Sequence, residues 1–183
     1  MAPMIKNNDR HYGLFSKSLH WLTASAMISL IAIGWYMVGL SNESIGYYRA
    51  LDFHQVSGLG VLILFVVKII WLWMSPNPQF VPTIARWQRY AAHTVHTLFI
   101  IAMVLIPISG YLFATSLGDP IPVYNVFEIP GVMTLSEPVS DWMINFHAYY
   151  AYTCAGLIVL HSLAALKHHF INRDDTLRRM TVG

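Results

Sequence analysis

Charged residues are scarce in this sequence. Of its 183 residues only 11% are Asp, Glu, Lys or Arg, while 56% are hydrophobic. A soluble domain of ordinary composition carries about 25% charged residues. The deficit argues against a water-soluble protein, and no nucleic-acid partner is expected. We expect a protein that is immersed in a lipid bilayer.

Cysteine is nearly absent as well. The one cysteine, Cys154, lies inside an apolar run. It excludes an internal disulfide, an iron–sulfur cluster held by four thiolates and the C-x-x-C-H attachment of a covalent haem. If the chain holds a redox cofactor, its ligands must therefore come from the nine histidines.

Four long apolar stretches account for the hydrophobic composition. They cover about residues 17–40, 53–74, 91–114 and 142–170. Each can cross a hydrocarbon core of ~30 Å, which takes roughly 20 helical residues, whereas barrel strands would be about half as long and would alternate in polarity. The sequence predicts an all-α fold, in which residues 1–183 form a single domain, an integral membrane four-helix bundle.

The basic residues predict the orientation of this bundle. Ten of the eleven Lys and Arg residues lie before the first stretch, around the second connection or near the C-terminus. Arg49 is the exception, in the first connection. Because cytoplasmic loops carry the excess of Lys and Arg, we expect both termini in the cytoplasm.

Five or six histidines lie inside the predicted helices or at their ends, where polar side chains are costly and usually functional, and four of them carry the argument. His20 is near the cytoplasmic end of the first helix, and His54 is near the outer end of the second. His147 and His161 lie in the fourth helix, 14 residues apart. That spacing is ~21 Å and almost four full turns, so both leave the same face of the helix.

Depth in the membrane sorts these histidines into two pairs. His54 and His147 lie at one level near the outer side, and His20 and His161 lie at a second level near the cytoplasm. Two imidazoles at each of two levels are what two non-covalent, bis-histidine haem b groups need, and a bundle core is a normal place for them. A hydrogen bond to a neighbouring helix would explain one such histidine, but not two pairs. A closed zinc site would need four ligands at one level.

Further histidines lie near the cytoplasmic side. His96 is deep enough to compete with His20 as the inner ligand, and this alternative stays open. Otherwise His93, His96 and His168 line a pocket, with Lys167 beside them. Because histidine exchanges protons near physiological pH, a quinone headgroup is the natural occupant of that pocket.

Several motifs, taken together, resemble bacterial cytochrome b561. They are Ser18-Leu19-His20-Trp21, the Gly58-x-Gly60 that follows His54, Arg89-x3-His93-x2-His96, His161-x6-His168-His169 and the closing run 174–180. The resemblance covers essentially the whole chain. It implies a four-helix inner-membrane protein with two haem b groups that exchanges electrons with ubiquinone. In the similar cytochrome b subunits of formate dehydrogenases and hydrogenases, the positions matching His20, His54, His147 and His161 are the ligands.

The electron donor is less well defined. One member type of the family is a superoxide oxidase, which reduces ubiquinone with electrons from periplasmic superoxide. Here the predicted outer loops carry six acidic residues and only Arg49 as a cation, so an anion is repelled except where Arg49 forms a local funnel. The favoured hypothesis is a donor:quinone oxidoreductase that uses superoxide or another periplasmic donor.

Two other hypotheses remain. In one, the chain is a haem-bearing membrane subunit that relays electrons to or from a partner protein, which docks on the acidic outer face. In the other, it is a transporter or structural membrane protein without haem, and a purified preparation would be colourless.

Overall fold

The computed structural model describes residues 4–124 and 126–181 of the chain. It contains four long helices: α1 (Leu14–Val38), α2 (Ile45–Met74), α3 (Arg86–Ala114) and α4 (Glu137–Lys167). Each is long and apolar enough to cross a membrane. The prediction of a four-helix transmembrane bundle is confirmed.

All four helices begin earlier than the sequence predicted, by three residues in α1, eight in α2 and five in both α3 and α4. α2 begins at Ile45 rather than near residue 53, and α4 begins at Glu137 rather than near residue 142. Hydropathy marks only the part of a helix that lies in lipid, whereas these helices extend into water with polar residues. The Ser44 hydroxyl accepts a hydrogen bond from the backbone N–H of Tyr47 and so caps the extension of α2.

Consecutive helices pack side by side around the bundle. α1 packs on α2, α2 on α3 and α3 on α4, while α4 meets α1 more lightly. The helices therefore form a ring in which α2 and α4 face each other across the bundle.

One end of the bundle gathers both termini and the connection between α2 and α3. The Asn7 amide donates to the Ser75 carbonyl, at 3.1 Å. The C-terminal tail follows a π-helical turn (His168–Asn172) and contains a short 3₁₀-helix (Arg178–Met180). Two hydrogen bonds from side chains to backbone carbonyls hold it at this end. The Trp21 indole donates to the Met180 carbonyl and the Arg179 guanidinium donates to the Gln79 carbonyl. This is the end predicted to face the cytoplasm, and its side of the membrane remains a prediction.

The opposite end carries a small antiparallel hairpin of β1 (Ile121–Val123) and β2 (Phe127–Ile129), with β1 packed on α2. The Tyr111 hydroxyl donates to the Pro130 carbonyl at 2.6 Å and ties the connection after β2 to α3. Strands of three residues are too short to show a hydrophobic period, so the hairpin could not be predicted from the sequence.

The buried apolar core is small and lies midway along the bundle. It consists mainly of one side chain from each helix, Met27, Val61, Met103 and Cys154, which we call the middle layer. Most other large apolar side chains on the helices are exposed, as expected where helices face lipid. The bundle is therefore closed by its middle layer, with space for functional side chains above and below it.

Candidate functional site

Two further levels of side chains flank the middle layer. On every helix, seven residues separate the middle layer from each level, which is ~10.5 Å and close to two turns. The outer level consists of Gly34, His54, Gly110 and His147, and the inner level consists of His20, Lys68, His96 and His161. The 14-residue spacing predicted to matter in α4 therefore recurs on all four helices.

In the outer level, α2 and α4 bring the imidazoles of His54 and His147 together. Their ring centroids are 6.0 Å apart. Two imidazole nitrogens that each lie about 2.0 Å from one metal ion would hold the ring centroids about 6.3 Å apart. The separation therefore fits a metal ion between the two rings.

Two features of α3 fix the orientation of His147. Its Nδ1 lies 2.8 Å from the Ile106 carbonyl oxygen, which can only accept, so Nδ1 carries the proton and Nε2 is left as the ligand atom. Gly110 lies directly against the ring, where a Cβ would lie 2.9 Å from Nδ1 and from Cε1. Only glycine fits there without displacing the imidazole.

His54 is held less tightly. A Cβ at Gly34 would lie 3.5 Å from its Cε1, which is ordinary van der Waals contact. The Leu30 backbone carbonyl is near enough to the ring to act as a weak hydrogen-bond acceptor, but the buried Nδ1 makes no hydrogen bond of good geometry within residues 4–124 and 126–181. Buried polar atoms without partners are rare, and this one fits a side chain that binds a group from outside the chain.

There is also room beside the imidazoles. A Cβ at Gly58, one turn after His54, would meet nothing within 4 Å. A flat macrocycle between the helices needs such room at its edge, so this small residue fits a haem.

In the inner level, two histidines face His161. The ring centroids are 6.4 Å apart for His20 and 5.6 Å apart for His96. Phe99 also packs its ring against the edge of His161, at 5.6 Å. The separation for His20 is the closer to the ~6.3 Å of a metal-bridged pair, while that for His96 is shorter.

Lys68 completes the inner level and was absent from the predicted site. Its ammonium is close enough to His20, His96 and His161 to act on all three electrostatically. The signal in the sequence that points to Lys68 is its 14-residue spacing from His54, which equals the spacing of His147 and His161 in α4.

A buried pair lies below the inner level. The Nδ1 of His168 is 2.5 Å from the Asp174 carboxylate, and the two side chains are only 12% and 7% exposed. Arg173 adopts a left-handed conformation with φ of 54°, which turns the chain back so that Asp174 meets the ring. Burial alone would raise the pKa of Asp174, but hydrogen bonds from Thr176 and His168 hold it below its usual value.

The other predicted site residues are dispersed. The Lys167 ammonium donates to the Asn172 side chain at the surface, at 3.1 Å. His93 packs against Phe80, with ring centroids 5.1 Å apart. Arg49 is exposed in the second turn of α2, at the opposite end of the bundle. Across the described ranges 4–124 and 126–181, no three His, Cys, Asp or Glu side chains converge on a metal position.

Comparison with known proteins gives consistent matches along the chain. A family model described as prokaryotic cytochrome b561 matches residues 11–183. The chain is 34% identical over 174 residues to "Cytochrome b561 homolog 2" of Escherichia coli (strain K12), which covers 95% of this chain and 93% of that protein. "Cytochrome b561 homolog 1" of the same strain is 28% identical over 173 residues, covering 91% and 96% respectively. A "Probable superoxide oxidase CybB" of Yersinia pestis is 25% identical over 173 residues, covering 93% and 96%.

Proposed function

This chain belongs to the prokaryotic cytochrome b561 family, and from that premise we propose that it is a di-haem b cytochrome of the inner membrane that passes electrons from a periplasmic donor to ubiquinone. Family membership makes it a multi-pass bacterial membrane cytochrome that binds haem b and takes part in electron transfer. The number of haems, their ligands, both substrates and the orientation belong to the proposal.

The observation that carries the proposal is the presence of two histidine pairs at metal-bridging separations, 6.0 Å in the outer level and 6.4 Å in the inner level. We assign His54 and His147 to one haem and His20 and His161 to the other. Bound haem b supplies reversible one-electron chemistry at an iron whose two axial positions are filled by histidine. The Ile106 carbonyl and Gly110 orient His147 for this role.

His20 is the better inner ligand than His96 on geometry. At 5.6 Å from His161, the His96 ring is closer than two collinear metal–nitrogen bonds of about 2.0 Å allow. In a His20→Ala variant we expect loss of one haem, whereas His96→Ala is expected to retain both. The reverse result, measured by haem content, would reassign the inner ligand to His96.

The cytoplasmic end supplies the protons for quinone reduction. Ubiquinone takes up two protons with two electrons, so its headgroup needs a proton donor as well as a route for electrons. His168 lies seven residues beyond His161, on nearly the same face and ~10.5 Å further along the axis. Asp174 holds Nδ1 of His168, which leaves Nε2 of the ring to donate to a quinone oxygen. His93 and Lys167 are additional headgroup contacts in this proposal.

Superoxide is one candidate donor because a relative carries the name of a probable superoxide oxidase. A protein donor is the second candidate, and a specific observation favours it. The hairpin end exposes large apolar side chains, among them Leu117, Val126 and Phe127, between the exposed carboxylates Asp119 and Glu128. Apolar patches among charges of one sign are typical of docking surfaces, here for a basic partner.

The experiment that tests the proposal combines two measurements on one purified sample. Pyridine haemochrome analysis gives haem b per chain, and stopped-flow spectroscopy gives the rate of reduction by superoxide. Two haems reduced rapidly by superoxide would establish the oxidase. Two haems reduced slowly by superoxide, but rapidly by a basic electron-carrier protein with strong salt dependence, would establish the relay. A protein without haem would overturn both.

A further inference from the structure

Lys68 is an unusual residue for its position. It lies in α2, six residues before the helix ends at Met74, which places it ~9 Å inside the helix terminus. A charged side chain within a transmembrane helix is costly and marks a functional site by default. Its neighbours in the inner level include His20 and His161, the two histidines assigned to one haem.

The membrane-spanning helices provide no side-chain carboxylate that could neutralise Lys68. The sequence contains no Asp or Glu between residues 10 and 42, between 53 and 118, or between 142 and 173. The acidic residues are therefore confined to the ends of the bundle. The ion pairs His168–Asp174 and Arg178–Asp175 both lie beyond the end of α4, and neither includes Lys68.

The outer level holds nothing comparable. Lys68 is aligned with His54 on one face of α2, but 14 residues away, which is ~21 Å along the axis. At the outer level the positions on α1 and α3 are Gly34 and Gly110, which carry no charge. A positive charge therefore acts at one of the two levels only.

We propose that Lys68 makes the inner haem the better electron acceptor of the two, and so gives electron flow its inward direction. This inference rests on the proposed function, in which each level holds one haem. A positive charge that no protein carboxylate neutralises favours the state of the neighbouring group that carries one more electron. The effect is large where few mobile charges screen it and falls off with distance, so the outer haem is affected much less.

The test is a spectroelectrochemical titration of the purified holoprotein and its variants. Lys68→Met keeps an unbranched apolar stem and removes the charge, whereas Lys68→Arg keeps the charge. We expect Lys68→Met to shift the electron-sharing equilibrium between the haems at least about tenfold towards the outer one, which is about 59 mV in one midpoint potential. Lys68→Arg keeps the positive charge and should leave the equilibrium close to its wild-type value. The matched control Lys6→Gln, in the exposed N-terminal segment, should leave both potentials unchanged.

Several results would overturn the inference. One is a Lys68→Met protein with two haems at wild-type potentials, and another is an equal shift of both potentials. Loss of one haem from both Lys68 variants would make Lys68 a structural anchor instead. Each of these leaves the di-haem proposal intact, whereas a wild-type protein with fewer than two haems would refute the proposed function itself.

Discussion

The outer and inner levels have the same positions on the same four helices, yet their side chains differ. The outer level pairs each histidine with a glycine that packs against its ring, and it carries no charge. The inner level has three histidines and a lysine in the equivalent places. The comparison shows that one helical spacing can build two sites of different kinds. In the proposed function, the outer one fixes the orientation of a haem ligand, and the inner one carries a positive charge and lies next to the proposed proton donor His168.

The largest expected effect comes from removing one proposed haem ligand from either level. We expect His147→Ala to reduce haem content from two to one per chain and to abolish reduction of quinone by the periplasmic donor, because the outer haem loses an axial ligand. Haem analysis and donor-dependent quinone reduction check this. His11→Ala, in the exposed N-terminal segment, should keep both haems. Two haems in His147→Ala would contradict the assignment of the outer level.

A second perturbation separates proton delivery from haem binding at the inner end. His168→Ala should slow quinone reduction about a hundredfold, since a positioned general acid contributes 10²–10⁴-fold, while both haems stay in place. Asp174→Asn should have a smaller effect, because an amide can still bind Nδ1 of His168. Turnover with saturating ubiquinone and haem content are the measurements. A loss of haem in His168→Ala would instead assign His168 to the inner haem.

The two glycines of the outer level give a finer test. A methyl group at Gly110 would lie 2.9 Å from the His147 ring, whereas one at Gly34 would lie 3.5 Å from the His54 ring. Overpacking of this kind costs about 1–3 kcal/mol, so Gly110→Ala should weaken haem retention about tenfold and Gly34→Ala should not. Haem dissociation to an acceptor apoprotein measures both. Equal behaviour of the two variants would mean that the ring of His147 moves freely.

The smallest expected effect concerns the pH dependence of the tail. Because the pKa of Asp174 is lowered from 3.8 in the folded protein, its contribution to tail docking is fully present above that value and is lost as pH falls through the lowered pKa. The protection factors of residues 174–181, which are corrected for the intrinsic pH dependence of amide hydrogen exchange, should therefore be unchanged between pH 7 and pH 5 and should fall only in stronger acid. Asp174→Asn should show no such acid-dependent step.

The sequence predicted the four helices well because transmembrane helices leave long apolar runs that nothing else in a chain imitates. It also predicted the histidine pairs, because depth and orientation follow from position along a helix. The structure supports their proximity through the ring separations, while their role as ligands remains a prediction. The role of Gly110 was not predictable, since an isolated glycine does not show which ring approaches it. The same holds for the hydrogen bond from His147 to Ile106, which depends on how α3 packs against α4.

The middle layer has a consequence for how the membrane voltage acts on turnover. It separates the two levels by a dry apolar barrier without a carboxylate that could carry a proton alongside an electron. If each level holds one haem, as proposed, an electron that moves from the outer to the inner level crosses ~21 Å of a hydrocarbon core of ~30 Å. Moving one charge across the whole membrane costs about 2.3 kcal/mol per 100 mV. When the cytoplasm is negative, about two thirds of this free energy would oppose each electron that moves from the outer to the inner level. Turnover in sealed vesicles should therefore slow as the voltage rises and recover when an ionophore dissipates it.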